Sequence, residues 1–168
     1  RAAITESNGY AGLDRITIAP GIHPVLSVAG SNENSNATGD LDVTGEVIIV
    51  GGGATVDAAG LDRVFDVRDG HLTIRQLTVT GGHPPRHEGS NLNSGGGAGI
   101  RAYGDLTLED ARVEGNVAEQ STEGVAIFAS GATVTLTTTE VVDNSFLSTG
   151  GTATILLRDA SVLSVSRS

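Results

Sequence analysis

The sequence has no cysteine, no tryptophan and no methionine, and lysine is missing as well, so that all ten basic residues are arginine. Without cysteine, disulfides contribute nothing to stability and redox compartment leaves no trace in the chain. Aromatic residues make up only 3 %, which excludes a globular core built on large rings. Val, Ile, Leu, Ala and Thr must fill the interior, and these suit stacking on pleated surfaces. No apolar run approaches the roughly 20 residues that cross a bilayer as a helix. Basic charge is scarce: 20 acidic residues against 10 basic leave a net charge of −10. An acidic surface without a basic patch repels phosphate backbones, so nucleic acid is not an expected partner. No export signal is read in this sequence, and the pattern is already under way at Arg1, as expected if such a signal had been removed or the sequence trimmed.

What the sequence does have is a repeat. Leu72-Thr73-Ile74 with Val79, Leu106-Thr107-Leu108 with Val113, Val134-Thr135-Leu136 with Val141, and Ile155-Leu156-Leu157 with Val162 share one spacing. In each, two apolar residues stand two apart and a third lies five beyond the second. Upstream, Phe65/Ile100/Ile127 and Val67/Ala102/Ala129 align in the same way, across corners such as Arg68-Asp69-Gly70 and Tyr103-Gly104-Asp105. Alternation of period two over short runs means strands. A repeated strand–corner–strand unit means a coil whose like residues stack rung upon rung, not a sandwich.

The expected fold is therefore all-β, a right-handed parallel β-helix of about six rungs at ~4.8 Å per rung, forming a single domain over residues 1–168. The 24 glycines fall beside strands as turn punctuation. Surplus residues between copies are expected to bulge out as loops at Gly30–Gly39, Gly81–Gly97, Asn116–Glu123 and Asp143–Gly151. One short helix, Ala2 to Asn8, is expected to cap the first rung. At the other end the strand pattern runs through Val162–Ser168 with no cap, so that edge is expected to meet further chain or another molecule.

Several residue sets resemble a known family. Arg1-Ala2-Ala3-Ile4 followed by Asn8, Gly12, Asp14 and Ile16-Thr17-Ile18 is similar to the start of bacterial right-handed parallel β-helix proteins with a CSLREA-type N-terminal motif. Gly39-Asp40-Leu41-Asp42-Val43, Gly60-Leu61-Asp62-Arg63-Val64-Phe65-Asp66-Val67 and Leu77-Thr78-Val79-Thr80-Gly81-Gly82 continue the likeness. The chain departs from that motif in lacking its Cys-Ser-Leu portion and in carrying Ala2 where Glu is usual. The resemblance implies a secreted or cell-surface protein, often a module of a larger one, and it implies no catalytic residues.

Candidate sites follow from residue chemistry. Asp40 and Asp42 alternate about Leu41 and are expected to point outward side by side, with Asp57, Asp62, Asp66 and Asp69 in the next turn of chain. Calcium takes several oxygen ligands at about 2.3–2.6 Å, which makes Asp40 and Asp42 the candidate calcium ligands; no other cofactor is expected. The ordinary alternative is a set of solvated acids networked with Arg63. His83-Pro84-Pro85-Arg86-His87-Glu88 places two histidines four apart, but the prolines forbid the helix that would align them and Arg86 opposes a cation. Gly51-Gly52-Gly53 lacks the following helix that a dinucleotide site needs and reads as a turn. Paired carboxylates for glycoside hydrolysis, some ~5–9 Å apart, could come from Glu109/Asp110 or Asp66/Asp105. Arg75, Arg101 and Arg112, the bases a lyase would need, are scattered. Asn36-Ala37-Thr38 matches a glycosylation sequon, and Thr73, Thr78, Thr107, Thr135 and Thr137 form a partial outward ladder.

These observations lead to a non-catalytic, secreted or cell-surface module with a structural or adhesive role. Its sheet faces and the Gly81–Gly97 loop would contact carbohydrate or protein, and its open last rung would self-associate into a dimer or a filament. The alternative is a carbohydrate-active enzyme, a polysaccharide lyase or hydrolase, on the same scaffold.

Overall fold

The computed structural model describes residues 1–31, 33–85, 96–119, 124–147 and 153–168. The chain is a parallel β-helix preceded by one helix, α1 (Ala2–Asn8). The first rung contributes β1 (Leu13–Thr17), and the second β2 (Leu41–Val43) and β3 (Glu46–Asp57). The third holds β4 (Phe65–Val67) and β5 (His71–Thr80). The fourth is divided into β6 (Ile100–Ala102), β7 (Asp105–Glu109), β8 (Arg112–Glu114) and β9 (Val117–Ala118). The fifth repeats that division as β10 (Ile127–Ser130), β11 (Thr133–Thr137), β12 (Glu140–Val142) and β13 (Ser145–Phe146), and the sixth ends on β14 (Ile155–Arg158) and β15 (Val162–Ser166).

Every strand pairs in parallel with its counterpart one rung away. One sheet runs β1-β3-β5-β7-β11-β15, with β8 and β12 continuing it beyond a corner; a second runs β2-β4-β6-β10-β14; a third is the pair β9-β13. The register stacks like on like. Val47, Leu72, Leu106 and Val134 form one inward row, and Ile49, Ile74, Leu108 and Leu136 another. All eight side chains are buried. Burying a Leu or Ile contributes about 1.5–3 kcal/mol, so these rows hold the coil together without aromatic residues.

Two expectations need correction. The fourth copy of the repeat belongs one strand later: Val134 stacks on Leu163 and Leu136 on Val165, whereas Ile155 stacks on Ile127 and Leu157 on Ala129 in the second sheet. Ile155-Leu156-Leu157 mimics the motif because both sheets bury alternate apolar residues and Val162 happens to fall at the right offset. In addition, the stretches Asn116–Glu123 and Asp143–Gly151, read as loops, contain β9 and β13. Strands of two residues offer no alternation to read.

The corners explain the remaining irregularity. Between the halves of the first sheet the chain turns on a single left-handed residue in each later rung: Gln76, Asp110, Thr138 and Arg167, at φ 51°, 49°, 50° and 57°. In β3 the same corner takes three residues, and the register shifts between Val50 and Ala54. This is the role of Gly51-Gly52-Gly53. Gly52 and Gly53 adopt φ 56° and 89°, and a Cβ on Gly51 would lie 2.5 Å from the carbonyl oxygen of Gln76.

Candidate functional site

The charged residues singled out in the sequence gather on the outer face of the second sheet, at its N-terminal end. β2, β4 and β6 each place one polar residue between two inward apolar ones, which stacks Asp42, Asp66 and Arg101 in a single outward column. Outward does not mean exposed here: Asp42 and Asp66 are 0 % and 1 % accessible. The segment from Gly30 to Gly39 is tied down beside them. Arg1 donates to the carbonyl oxygens of Thr38, Gly39 and Asp40. Glu33 accepts from the N–H groups of Ser35 and Thr38.

Within this cluster Asp40 and Asp42 reach different partners. Asp40 accepts from the Arg63 guanidinium at 2.8 Å. Asp42 accepts from the Asn36 N–H at 3.3 Å through one oxygen, while its Oδ1 is buried without a hydrogen-bond partner. Burial pushes the Asp40 carboxyl up to about 7, with Asp62 and Asp66 adding to the effect and Arg63 only partly offsetting it. Burial likewise pushes Asp42 up to about 6 against its bond from Asn36, with Asp66 and Glu33 adding to the rise. Asp66 behaves in the opposite way. Burial would raise it, but the Arg101 fork on both of its oxygens and Arg68 at 3.0 Å outweigh burial and hold it below the usual carboxylate range. Arg101 also lies over the Tyr103 ring at 5.6 Å. Among the described residues no group of three or more His, Asp or Glu is placed to hold a metal ion.

Asn36 is not available as a glycosylation acceptor in this fold, because it serves as a surrogate strand. Its Oδ1 accepts from the Asp42 N–H at 2.8 Å and its Nδ2 donates to the Asp42 carbonyl at 2.7 Å. Asn8 of α1 extends the same edge, donating to the Asp42 carbonyl and accepting from the Thr44 N–H. The N-terminal edge of the second sheet is thus closed by amide side chains and a helix.

The other candidates are separated. Glu109 pairs with Arg75 at 2.7 Å across the first sheet. Asp110 sits at the corner, in a shallow groove of about 570 Å³ that also takes in Gln76, Thr138, Arg112 and Glu140. Arg112 is committed there to Glu114 and Glu140. Asp105 accepts from the Thr133 N–H at 2.8 Å, well apart in connectivity from the buried Asp66. Thr73, Thr107, Thr135 and Ser164 do form one outward column, but a ring nitrogen of His71 engages Thr107 at 2.8 Å and the Arg75–Glu109 pair flanks it. His83 faces Glu119 at 3.5 Å; His87 and Glu88 lie outside the described residues, as does most of the Gly81–Gly97 loop.

Sequence reasoning missed a stacked asparagine pair. Asn116, fully buried, accepts from the Gly82 N–H at 2.9 Å and donates to the carbonyls of Val79 and Glu114 and to Asn144 Oδ1. Asn144 donates in turn to the carbonyls of Val113 and Val142. The signal was present: both lie three residues after the inward valines Val113 and Val141, each behind a residue at positive φ, Gly115 and Asp143.

The opposite end of the coil is open. β15 is exposed along its whole length. Leu163 and Val165 are 39 % and 53 % accessible, although their partners one rung back, Val134 and Leu136, are 0 % and 3 %. Val162 adds an outward apolar side chain at 58 %.

No helix among the described residues is long and apolar enough to cross a membrane. Comparison of the chain with family models, curated proteins and solved structures finds no match in any of the three.

Proposed function

We propose that the chain is a non-catalytic structural or adhesive module of a secreted or cell-surface β-helix protein, of the kind its N-terminal motif resembles, and that it associates with its own copies through the last rung. The observation that carries this reading is the accessible inward row of β15. Leu163 and Val165 continue rows that the second to fifth rungs bury, and an apolar strand edge of this kind is a template for pairing with another chain. The polar cluster at the other end supports the non-catalytic part. General acid–base chemistry needs a carboxyl within reach of substrate, and Asp40, Asp42 and Asp66 are buried and engaged by Arg63, Asn36, Arg68 and Arg101.

Sedimentation velocity over a hundredfold range of concentration tests the reading. The expected result is reversible association that disappears in Leu163→Asp and Val165→Asp, each variant keeping the wild-type circular dichroism spectrum. A wild-type chain that stays strictly monomeric at millimolar concentration overturns it.

A further inference from the structure

The corner of the first sheet carries more than its turn requires. In successive rungs the left-handed conformation falls on a residue with a polar side chain: Gln76, Asp110 and Thr138, at φ 51°, 49° and 50°. Glycine takes that conformation without steric cost, and the second rung uses it there, at Gly52 and Gly53. Gln76 and Thr138 are strained choices for such a position, and strain of this kind gathers at functional sites. All three side chains are exposed, and among the described residues they make no hydrogen bond or ion pair. Stability therefore does not account for them. They stand one per rung, about 4.8 Å apart along the axis, and line one groove of about 570 Å³.

Charge and backbone narrow what this groove can take. Asp110 and Glu140 line it, and Arg112 beside them is held by Glu114 and Glu140. An anionic ligand would meet carboxylates there with no cation free to receive it. An extended peptide draws its affinity from an open strand edge, but the corner amides are already used between rungs. The Asp110 N–H donates to the Thr137 carbonyl and the Thr138 N–H to the Ser166 carbonyl. The hydroxyl groups of a sugar chain fit better. Each is donor and acceptor together, as are the Gln76 amide and the Thr138 hydroxyl, while Asp110 accepts. Leu77 and Ala111 add apolar surface for the C–H faces of the rings. At Gly52 and Gly53 a Cβ would meet nothing within 4 Å, so the groove is open at that end. Units of an extended glycan repeat at a step close to that of the rungs, so successive units can meet successive side chains.

We infer that this corner groove binds a neutral, extended oligosaccharide laid along the coil axis, with Gln76, Asp110 and Thr138 each hydrogen-bonded to its hydroxyl groups. The inference rests on the adhesive part of the proposed function, to which it adds a ligand class, and is independent of association through β15.

The strained positions supply the test. Glycine at a left-handed position relieves strain, so Gln76→Gly combined with Thr138→Gly is expected to keep the fold while removing two hydrogen-bonding groups. Heteronuclear NMR of the isotope-labelled chain follows titration with neutral β-linked oligosaccharides of glucose, mannose and N-acetylglucosamine, and with an oligogalacturonate. At least one neutral sugar is expected to shift the amides of residues 52–53, 76–78, 110–112 and 138–140. Its affinity is expected to fall roughly tenfold in the double variant. No shift with any neutral sugar of the panel, shifts centred elsewhere, equal affinity in the double variant, or tighter binding of the oligogalacturonate overturns the inference. Sedimentation of the same samples separates the two readings. A chain that associates while its groove stays silent overturns this inference alone, and a monomeric chain that binds sugar overturns only self-association.

Discussion

Asp42 shows most clearly how burial sets behaviour at the residue scale. Its carboxyl, like that of Asp40, titrates higher in the folded chain than in the unfolded one, so between about pH 4 and 7 the folded state binds more protons. The stability these two groups contribute is fully present below the unfolded value of 3.8 and is lost as pH rises through about 6 and 7. Asp66 has the opposite sign, and its contribution is lost as pH falls through its depressed value, below 3.8. The melting temperature is therefore expected to peak between about pH 4 and 6 and to decline toward pH 8. Asp42→Asn, which keeps an acceptor for the Asn36 N–H and removes the charge, is expected to raise the melting temperature at pH 8 and to flatten that decline. Calorimetric scans of both chains from pH 4 to 8 check this; an unchanged slope in the variant contradicts it. Thr138 makes a second case. It is exposed and β-branched, yet holds φ at 50°, a region costly to such residues. Thr138→Asn is expected to stabilise the fold by about 1 kcal/mol in urea unfolding.

At the scale of elements, the asparagine pair is the part of the coil most sensitive to a single change. Removing the Asn116 amide strands the Gly82 N–H and the Val79 carbonyl in a dry turn, and each buried orphan costs about 1–3 kcal/mol. Asn116→Ala is expected to cost about 3 kcal/mol, against about 1 kcal/mol or less for Asn34→Ala on the exposed N-terminal loop; paired chemical denaturation curves measure the difference. The elements also show what the sequence made legible. Rows such as Ile74-Leu108-Leu136 could be read directly, because a buried strand repeats its apolar residues at a fixed step and nothing else does. The helix Ala2–Asn8 could be read because no alternation interrupts it. The placement of Ile155 and Leu157 was not legible: both sheets write apolar–x–apolar, and only pairing distinguishes them. The environment of Asp42 was hidden for a different reason. Alternation says which side of a strand a residue leaves from, but not whether the chain between β1 and β2 folds over that side, and here Arg1 and Asn36 hold residues of that connection in place.

For the whole molecule, the coil is asymmetric. At one end the edge of the second sheet is covered by α1, Asn8 and Asn36; at the other, β15 exposes residues of the rows that the coil is built around. Hydrogen–deuterium exchange as a function of protein concentration measures this contrast most directly. The expected result is fast exchange of the Val162–Ser166 amides in dilute solution that slows steadily as concentration rises, with strands of the middle rungs protected throughout. Exchange of that last strand at one rate across the whole concentration range would contradict the account.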